Sequence, residues 1–476
     1  MQNSVIDKVL PKWCPTLKTN LQAMADNLQK TLEKTMSEGY AQYPDTPFTI
    51  TPEACGYKGG LTTAAIQKAI DTAAGQGGGI VLLEKGDYLT GTIVLASNIC
   101  LKIAEGARLL GSTDLKDYPE HIAKRLTVMD THMGMHQSLI FAEGCKNICI
   151  CGGGTIDGQG FRENFPGEET IAGTPGRPFM MRIIDCENVH INGIRLVNPA
   201  CWTQNYLNCE NVLLENLTVE SQSNYNNDGI DIDGCRQVVI RNCNVSSGDD
   251  ALCFKGASQR ETANILVEKC TLLSSCNAVK IGTDTQGDFR NILVHDCVIG
   301  GVSEEMRRIK HACADSGISV EAVDGGTVEH IWVDNVKIDR AMSPFFMRTD
   351  KRGRVKPNDK KPPISKMREI VFSNIKGENN GPRGSYFWGI PESVIERVVL
   401  CNIELEQKPS GKETCQGKFE GEMYGEYPDA HMIDHLGDAP AYGLWTRNVQ
   451  ELNMSNYVVH VQGTDKRPEF LVEESI

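Results

Sequence analysis

The chain has 476 residues and a formal net charge of −14, from 62 acidic against 48 basic side chains. That balance argues against nucleic acid and anionic membrane as partners, and against a long polyanionic ligand unless local cations offset it. Its 46 glycines are more than helices tolerate and suit a turn-rich β protein. Met1–Lys8 lacks a basic start followed by an apolar core, and no apolar run is long enough to span a membrane, so a cytoplasmic location is expected. In that compartment the 18 cysteines are expected as reduced thiols. No CxxC pair and no His/Cys spacing marks a zinc site, so neither metal nor cofactor is expected.

Residues 16–38 carry a helical period, with Leu17, Leu21, Met24, Leu28, Leu32 and Met36 on one face and Gly39 at the end. Residues 1–46 therefore read as a helical extension, and 47–476 as the main domain. The apolar stripe has to be covered, by the body of its own chain or by a second copy in a homo-oligomer. A second helix is expected from Thr62 to Ala74, with Ala65, Ile66, Ala69, Ile70 and Ala73 on one face, stopped by Gly77-Gly78-Gly79. Short strands follow at Ile80–Leu83, Ile93–Leu95 and Leu101–Ile103, with a turn at Gly86-Asp87-Tyr88. The glycine run Gly152–Gly158 has no helix signal after it and no Lys-Ser/Thr at its end, so it is not read as a phosphate cradle.

From residue 188 a unit recurs: apolar-x-apolar-x-x-apolar-x-apolar, then a variable loop. It appears as Val189, Ile191, Ile194, Leu196, as Val212, Leu214, Leu217, Val219, and as Val238, Ile240, Cys243, Val245. Further copies begin at Ile265, Ile292, Ile331 and Val398, with a shorter one at Ile370 and a looser one at Leu452. Alternation, a two-residue bend, then alternation again describes strands that turn a corner. A unit too small to bury its own face must stack on copies of itself. The expected fold is all-β, a solenoid of parallel strands, with Cys243, Cys270 and Cys297 as interior rather than catalytic thiols. The helix at 62–74 would cap the first coil. Residues 300–316, 341–365 and 406–440 are the expected loops.

Two acidic clusters sit in phase on neighbouring units: Asn226-Asn227-Asp228 with Asp231 and Asp233, and Gly248-Asp249-Asp250. Stacked coils would bring Asp228, Asp249 and Asp250 to one patch. Crowded carboxylates push one another's pKa values apart, which supplies the acid and the base that glycoside hydrolysis needs. The plain alternative is that these acids only cap turns.

These motifs resemble glycoside hydrolase family 28, the polygalacturonase-like pectinases. The likeness extends over roughly residues 50–460. It includes Ala65–Ile70 with the triple glycine, Gly154-Thr155-Ile156-Asp157-Gly158 and Asn198-Pro199-Ala200-Cys201-Trp202. The resemblance implies a right-handed parallel β-helix and an inverting mechanism. Asp249 would be the general acid, and Asp228 and Asp250 would hold and deprotonate water. Two departures follow. Asn277 stands where the family has a histidine, and Ser319-Val320-Glu321 stands where it has an Arg-Ile-Lys uronate clamp. Arg308-Ile309-Lys310 has the clamp's letters but lies outside the strand phase. With the acids kept and the clamp lost, the sugar beside Glu321 is expected to be neutral, which moves the substrate from plain galacturonan towards a rhamnogalacturonan-type or other pectic oligosaccharide. Asn226, Asp231, Lys255, Asn277, Lys280, Glu321 and Arg348 are the substrate-binding candidates, Arg348 reaching in from a loop. Trp202 and Tyr225 are weaker candidates for sugar stacking. A β-helix polysaccharide lyase, using Lys255 or Lys280 as base, and a non-catalytic sugar-binding β-helix are the alternatives.

Overall fold

The repeated apolar units fold as pairs of short strands, and the x-x bend inside each unit is a residue with positive φ: Asn216, Asn242, Lys269, Asp296, Asn335, Asn374, Asn402 and Asn456 all lie near +50°. The computed structural model describes residues 6–7, 10–41, 48–128, 130, 136–167, 176–282, 284–302, 312–356, 358–410 and 437–473. They divide into two compact units, residues 26–249, and residues 1–25 with 250–476.

In residues 26–249 the strands form three in-register parallel rows. One row is Ile99–Ile103, Lys146–Cys151, Glu187–Asn192, Glu210–Glu215 and Arg236–Arg241. A second contains Ala107–Gly111, Thr155–Asp157, Arg195–Val197, Thr218–Ser221 and Asn244–Ser247. A third contains Ser138–Glu143, Phe179–Ile184, Gln204–Leu207 and Ile230–Asp233. Register puts like on like, so Val189, Val212 and Val238 stack, as do Ile191, Leu214 and Ile240, and all six are buried. Left-handed backbone costs most L-residues about 1 kcal/mol or more, and asparagine least after glycine. Here the asparagines offset that cost by bonding from coil to coil: Asn147 Nδ2 donates to Asn98 Oδ1 at 2.7 Å, Asn188 to Asn147 at 2.8 Å, and Asn211 to Asn188 at 2.9 Å.

The helix α2, Thr63–Gly75, buries Ile66, Ala69, Ile70 and Ala73. Its Gln67 side chain both accepts from and donates to the backbone of Val94, so the first coil is covered as expected. One expected turn is a strand. Gly86–Thr90 pairs in parallel with Ala107–Gly111, because Tyr88 turns inward against Leu109 while Gly86 takes the positive φ that starts it. Gly152 and Gly153 make a bend of positive φ. A Cβ on Gly152 would sit 2.4 Å from the Ile103 carbonyl oxygen, which explains the glycine without any ligand.

In the other unit the long strands Phe289–Gly301, Thr327–Asp339, Lys366–Asn380, Ile395–Gln407 and Val449–Val461 stack in parallel. A further row runs Leu252–Lys255, Asn277–Ile281, Ala314–Ala322, Ala341–Thr349, Ser385–Trp388, Leu444–Arg447 and Phe470–Glu473. All three expected loops are therefore shorter than the sequence suggested. Ala341–Thr349 is a strand buried on both faces, so Phe345, Phe346 and Met347 show no alternation to reveal it. The strands ending at Gly301 and Gln407 and starting at Ala314 trim the others, while residues 303–311, with Arg308-Ile309-Lys310, and 411–436 lie outside the described residues. Cys243, Cys270 and Cys297 are buried, as expected of core thiols.

The first helix, α1, runs Trp13–Ala41. Its Cys14, Leu17 and Leu21 pack on Val371 and Val399, and Lys18 bonds to Ser373 and lies over the Trp332 ring. Within residues 26–249, Leu28, Leu32 and Met36 are buried, and Glu33 accepts from Arg241 at 2.7 Å. The stripe is thus covered. No helix among the described residues is long and apolar enough to cross a membrane.

Candidate active site

The turn that carries Asp228 is built by amides. Asn227 is fully buried and uses all of its side chain. Its Nδ2 donates to the carbonyls of Pro199 and Cys201, both at 3.1 Å, and its Oδ1 accepts from the Asn224 backbone amide at 2.6 Å and from Ser223 Oγ. Asn224 in turn donates to Gly160 and Phe165 carbonyls. Asn226 takes a positive φ, and its Oδ1 accepts from Arg177, which also donates to the Tyr225 carbonyl. Asn226 is therefore engaged in holding the turn rather than turned outward. The turn leaves Asp228 almost buried at its end. The backbone amide of Asp249 then donates to the Asn227 carbonyl at 3.4 Å, which sets Asp249 beside the turn that carries Asp228. Asp249 is only half-buried. So one carboxyl of this unit is enclosed while its neighbour keeps access to solvent.

In the unit that begins at Asp250, that carboxylate is held by an amide and a cation. Asn277 Nδ2 donates to Asp250 Oδ1 at 2.7 Å, and Lys280 Nζ lies 3.1 Å from Asp250 Oδ2. Asn277 is itself oriented by Ser316, whose hydroxyl donates to Asn277 Oδ1 at 2.7 Å. Asn277, Lys280 and Asp250 all lie almost wholly out of solvent. Asn277 thus aims Asp250, and the Lys280 ammonium adds a charge-assisted contact.

Glu321 and Arg348 sit opposite each other on paired strands, so Arg348 belongs to a strand and not to the loop expected of it. Glu321 is fully buried, and its Oε1 accepts from Ser319 Oγ at 2.6 Å. Glycine at 282 makes room for it, since a Cβ there would come within 2.9 Å of the Glu321 Cβ. Arg348 pairs with Asp350, and its guanidinium lies 4.2 Å from the centre of the Trp388 ring. Around them is a set of ion pairs that sequence reading did not find. Arg352 donates to Asp324 through Nε at 2.8 Å and through Nη2, and Arg354 Nη1 donates to Asp284 at 3.0 Å. Asp324 also accepts from the Arg354 and Thr285 backbone amides. Burial alone would raise the Asp284 pKa. Arg354, Arg352, Lys255 and Lys280 outweigh it and hold the group below the ordinary carboxylate range. Lys255 is thereby placed among the charges of this row. The only signal for these partners in sequence was the basic run after Asp350 and the acid two residues past Gly282. Their separations of 28 and 70 residues hide the pairing.

The other candidates lie in residues 26–249. Asp231 is fully buried and in register with Asn205. Trp202 packs edge-on against Phe179, with centroids 5.4 Å apart. Tyr225 is half-buried beneath the Arg162 guanidinium.

Stacked parallel coils with in-register rows define a parallel β-helix. The model for glycosyl hydrolases family 28 matches residues 82–420. A probable polygalacturonase of Vitis vinifera is 26% identical over 374 residues, covering 74% of this chain and 72% of that protein. An exopolygalacturonase of Zea mays is 23% identical, covering 80% and 90%. The Yersinia enterocolitica family 28 exopolygalacturonase structure superimposes with a TM-score of 0.64 at 19% identity, covering 90% of this chain and 78% of that one. The chain belongs to glycosyl hydrolases family 28, with its parallel β-helix fold, and is a glycosidase.

Proposed function

We propose that the chain is an inverting hydrolase of pectin-derived oligosaccharides, with Asp249 as the general acid and with Asp228 and Asp250 holding and deprotonating water. The observation that carries this reading is the contrast of a half-buried Asp249 with an enclosed Asp228, tied by the amide of Asp249 to the carbonyl of Asn227. A general acid must reach the leaving oxygen and regain its proton from solvent, whereas a base that positions water is best fixed. Relatives named as polygalacturonases and exopolygalacturonases support a pectic substrate.

The sugar that this enzyme prefers beside Glu321 is neutral. Glu321 is fully buried and would act on a nearby uronate through its charge and not by contact, while Lys280, Arg348, Arg352 and Arg354 each already face an acid, Asp250, Asp350, Asp324 and Asp284. An added negative charge would have to displace one of these pairs, at a cost of several kcal/mol. Rhamnogalacturonan-type linkages place a neutral sugar next to a uronate and fit that constraint. The test is a panel of galacturonan, rhamnogalacturonan and neutral side-chain oligosaccharides, digested in heavy-oxygen water and read by mass spectrometry. The expected result is a labelled fragment from a substrate with a neutral sugar at the cut, and slower or no cleavage of galacturonan. Unlabelled, unsaturated fragments would instead show a lyase. Galacturonan cleaved fastest would overturn the specificity.

A further inference from the structure

Three thiols on the sheet face of residues 26–249 lie together, away from the acidic turn. Cys100, Cys149 and Cys151 have their Sγ atoms all within 4.8 Å of one another. Cys100 and Cys149 are partners across adjacent strands, and Cys149 and Cys151, two residues apart on one strand, point the same way. The Cys100–Cys151 sulfur distance is 3.6 Å. A disulfide needs about 2.05 Å. Three thiolates on one zinc, each at about 2.3 Å, are held about 3.8 Å apart in a tetrahedral site. The one pair at 3.6 Å and the 4.8 Å bound on the other two are close enough for three thiolates to share one ion and too long for a bonded pair.

The surroundings suit the same chemistry. Cys100 and Cys149 are buried and pack against Ile80, while Cys151 is half-buried and leaves a way in. Lys102 stands in register with Cys151, a positive neighbour for a thiolate. His190 stands in register with Cys149. Its Nε2 is 2.8 Å from Glu215 Oε1, and Glu215 is in turn fixed by Arg241.

We propose that Cys100, Cys149 and Cys151 form a binding site for a soft, thiophilic metal ion such as zinc, with a fourth position open to water. Binding displaces the thiol protons to solvent and involves no redox step. Such an ion would tie successive coils of this unit together on a face that takes no part in the proposed hydrolysis.

The test uses the full chain, purified in a non-chelating reductant, loaded with zinc, desalted and analysed by atomic emission. One zinc per chain is expected. Cys151→Ser and Cys149→Ser should each lower affinity by more than the roughly 10–100-fold that outer-shell changes cost, and so lose the ion on desalting. Cys55→Ser, outside the cluster, should retain it. Cobalt in place of zinc should give a thiolate charge-transfer absorption in the native protein that both cluster variants lose. Circular dichroism of each variant separates a lost site from a lost fold, and Cys151→Ser, at the half-buried position, is the variant best placed to keep it. Native protein that retains no zinc, or folded variants that retain as much as native, would overturn the site. So would isolation of the native chain metal-free with a Cys100–Cys151 disulfide.

Discussion

The turn at 224–228 and the charged row from Asp250 to Arg354 hold their carboxylates by opposite means. The turn is made of neutral amides acting on backbone, with Asn227 and Asn224 fixing the chain so that Asp228 arrives in place. The row is made of charges acting on charges, with Lys280 on Asp250, Arg352 on Asp324 and Arg354 on Asp284. An amide scaffold is indifferent to pH and salt and constrains geometry. A charged network sets the local potential and responds to protonation, and it is stable only while every partner is present. The first feature thus fixes a carboxylate by backbone geometry and the second fixes carboxylates by charge, so the two should answer differently to pH and salt.

The largest effect should come from the proposed general acid. Asp249→Asn is expected to lower kcat by at least about a thousandfold, within the range that general acid catalysis supplies, with thermal stability unchanged. Next is Arg352→Ala. It strips a cation from the fully buried Asp324, and a loss of about 3 kcal/mol is expected, at the low end for broken buried pairs because two backbone amides still reach that carboxylate. Urea unfolding would show it. Asn227→Ala should cost about 2 kcal/mol by leaving two carbonyls and an amide of the turn without their partner. That deficit should be the same at pH 5 and pH 8. A pH-dependent loss for Asn227→Ala, or no loss for Arg352→Ala, would break the contrast.

The smallest effect is a slope. Asp284 is held below the ordinary carboxylate range, because its cationic neighbours outweigh burial. A depressed folded value means that its contribution is fully present above the ordinary carboxylate pKa of about 4. It is lost as the pH falls through the folded value. Asp284→Asn should therefore flatten the acid limb of the stability curve below about pH 4. An unchanged slope there would remove Asp284 from the network.

What could be read in the sequence follows the same division. The Asn-Asn-Asp turn and the Gly-Asp-Asp turn are local, so their letters show them, and the apolar units show the strands because each alternates. Ala341–Thr349 escaped because a strand buried on both faces does not alternate. Gly86–Thr90 escaped because glycine and aspartate at its start read as a turn. Arg352, Arg354, Asp284 and Asp324 escaped because nothing in spacing announces a pair 28 or 70 residues apart. The thiol cluster escaped likewise, since Cys100 and Cys151 are 51 residues apart and meet only across paired strands. Asn277 was visible as a replaced histidine, but its task of aiming Asp250 appears only with the fold.

The most direct test of the central claim is the configuration of the first-formed product. A cleaved pectic oligosaccharide would be followed by proton NMR from the moment of mixing, before mutarotation scrambles the anomers. Water delivered by Asp228 and Asp250 against an acid at Asp249 predicts the inverted anomer first. Retention of configuration would require one of these aspartates to form a covalent intermediate and would contradict the account.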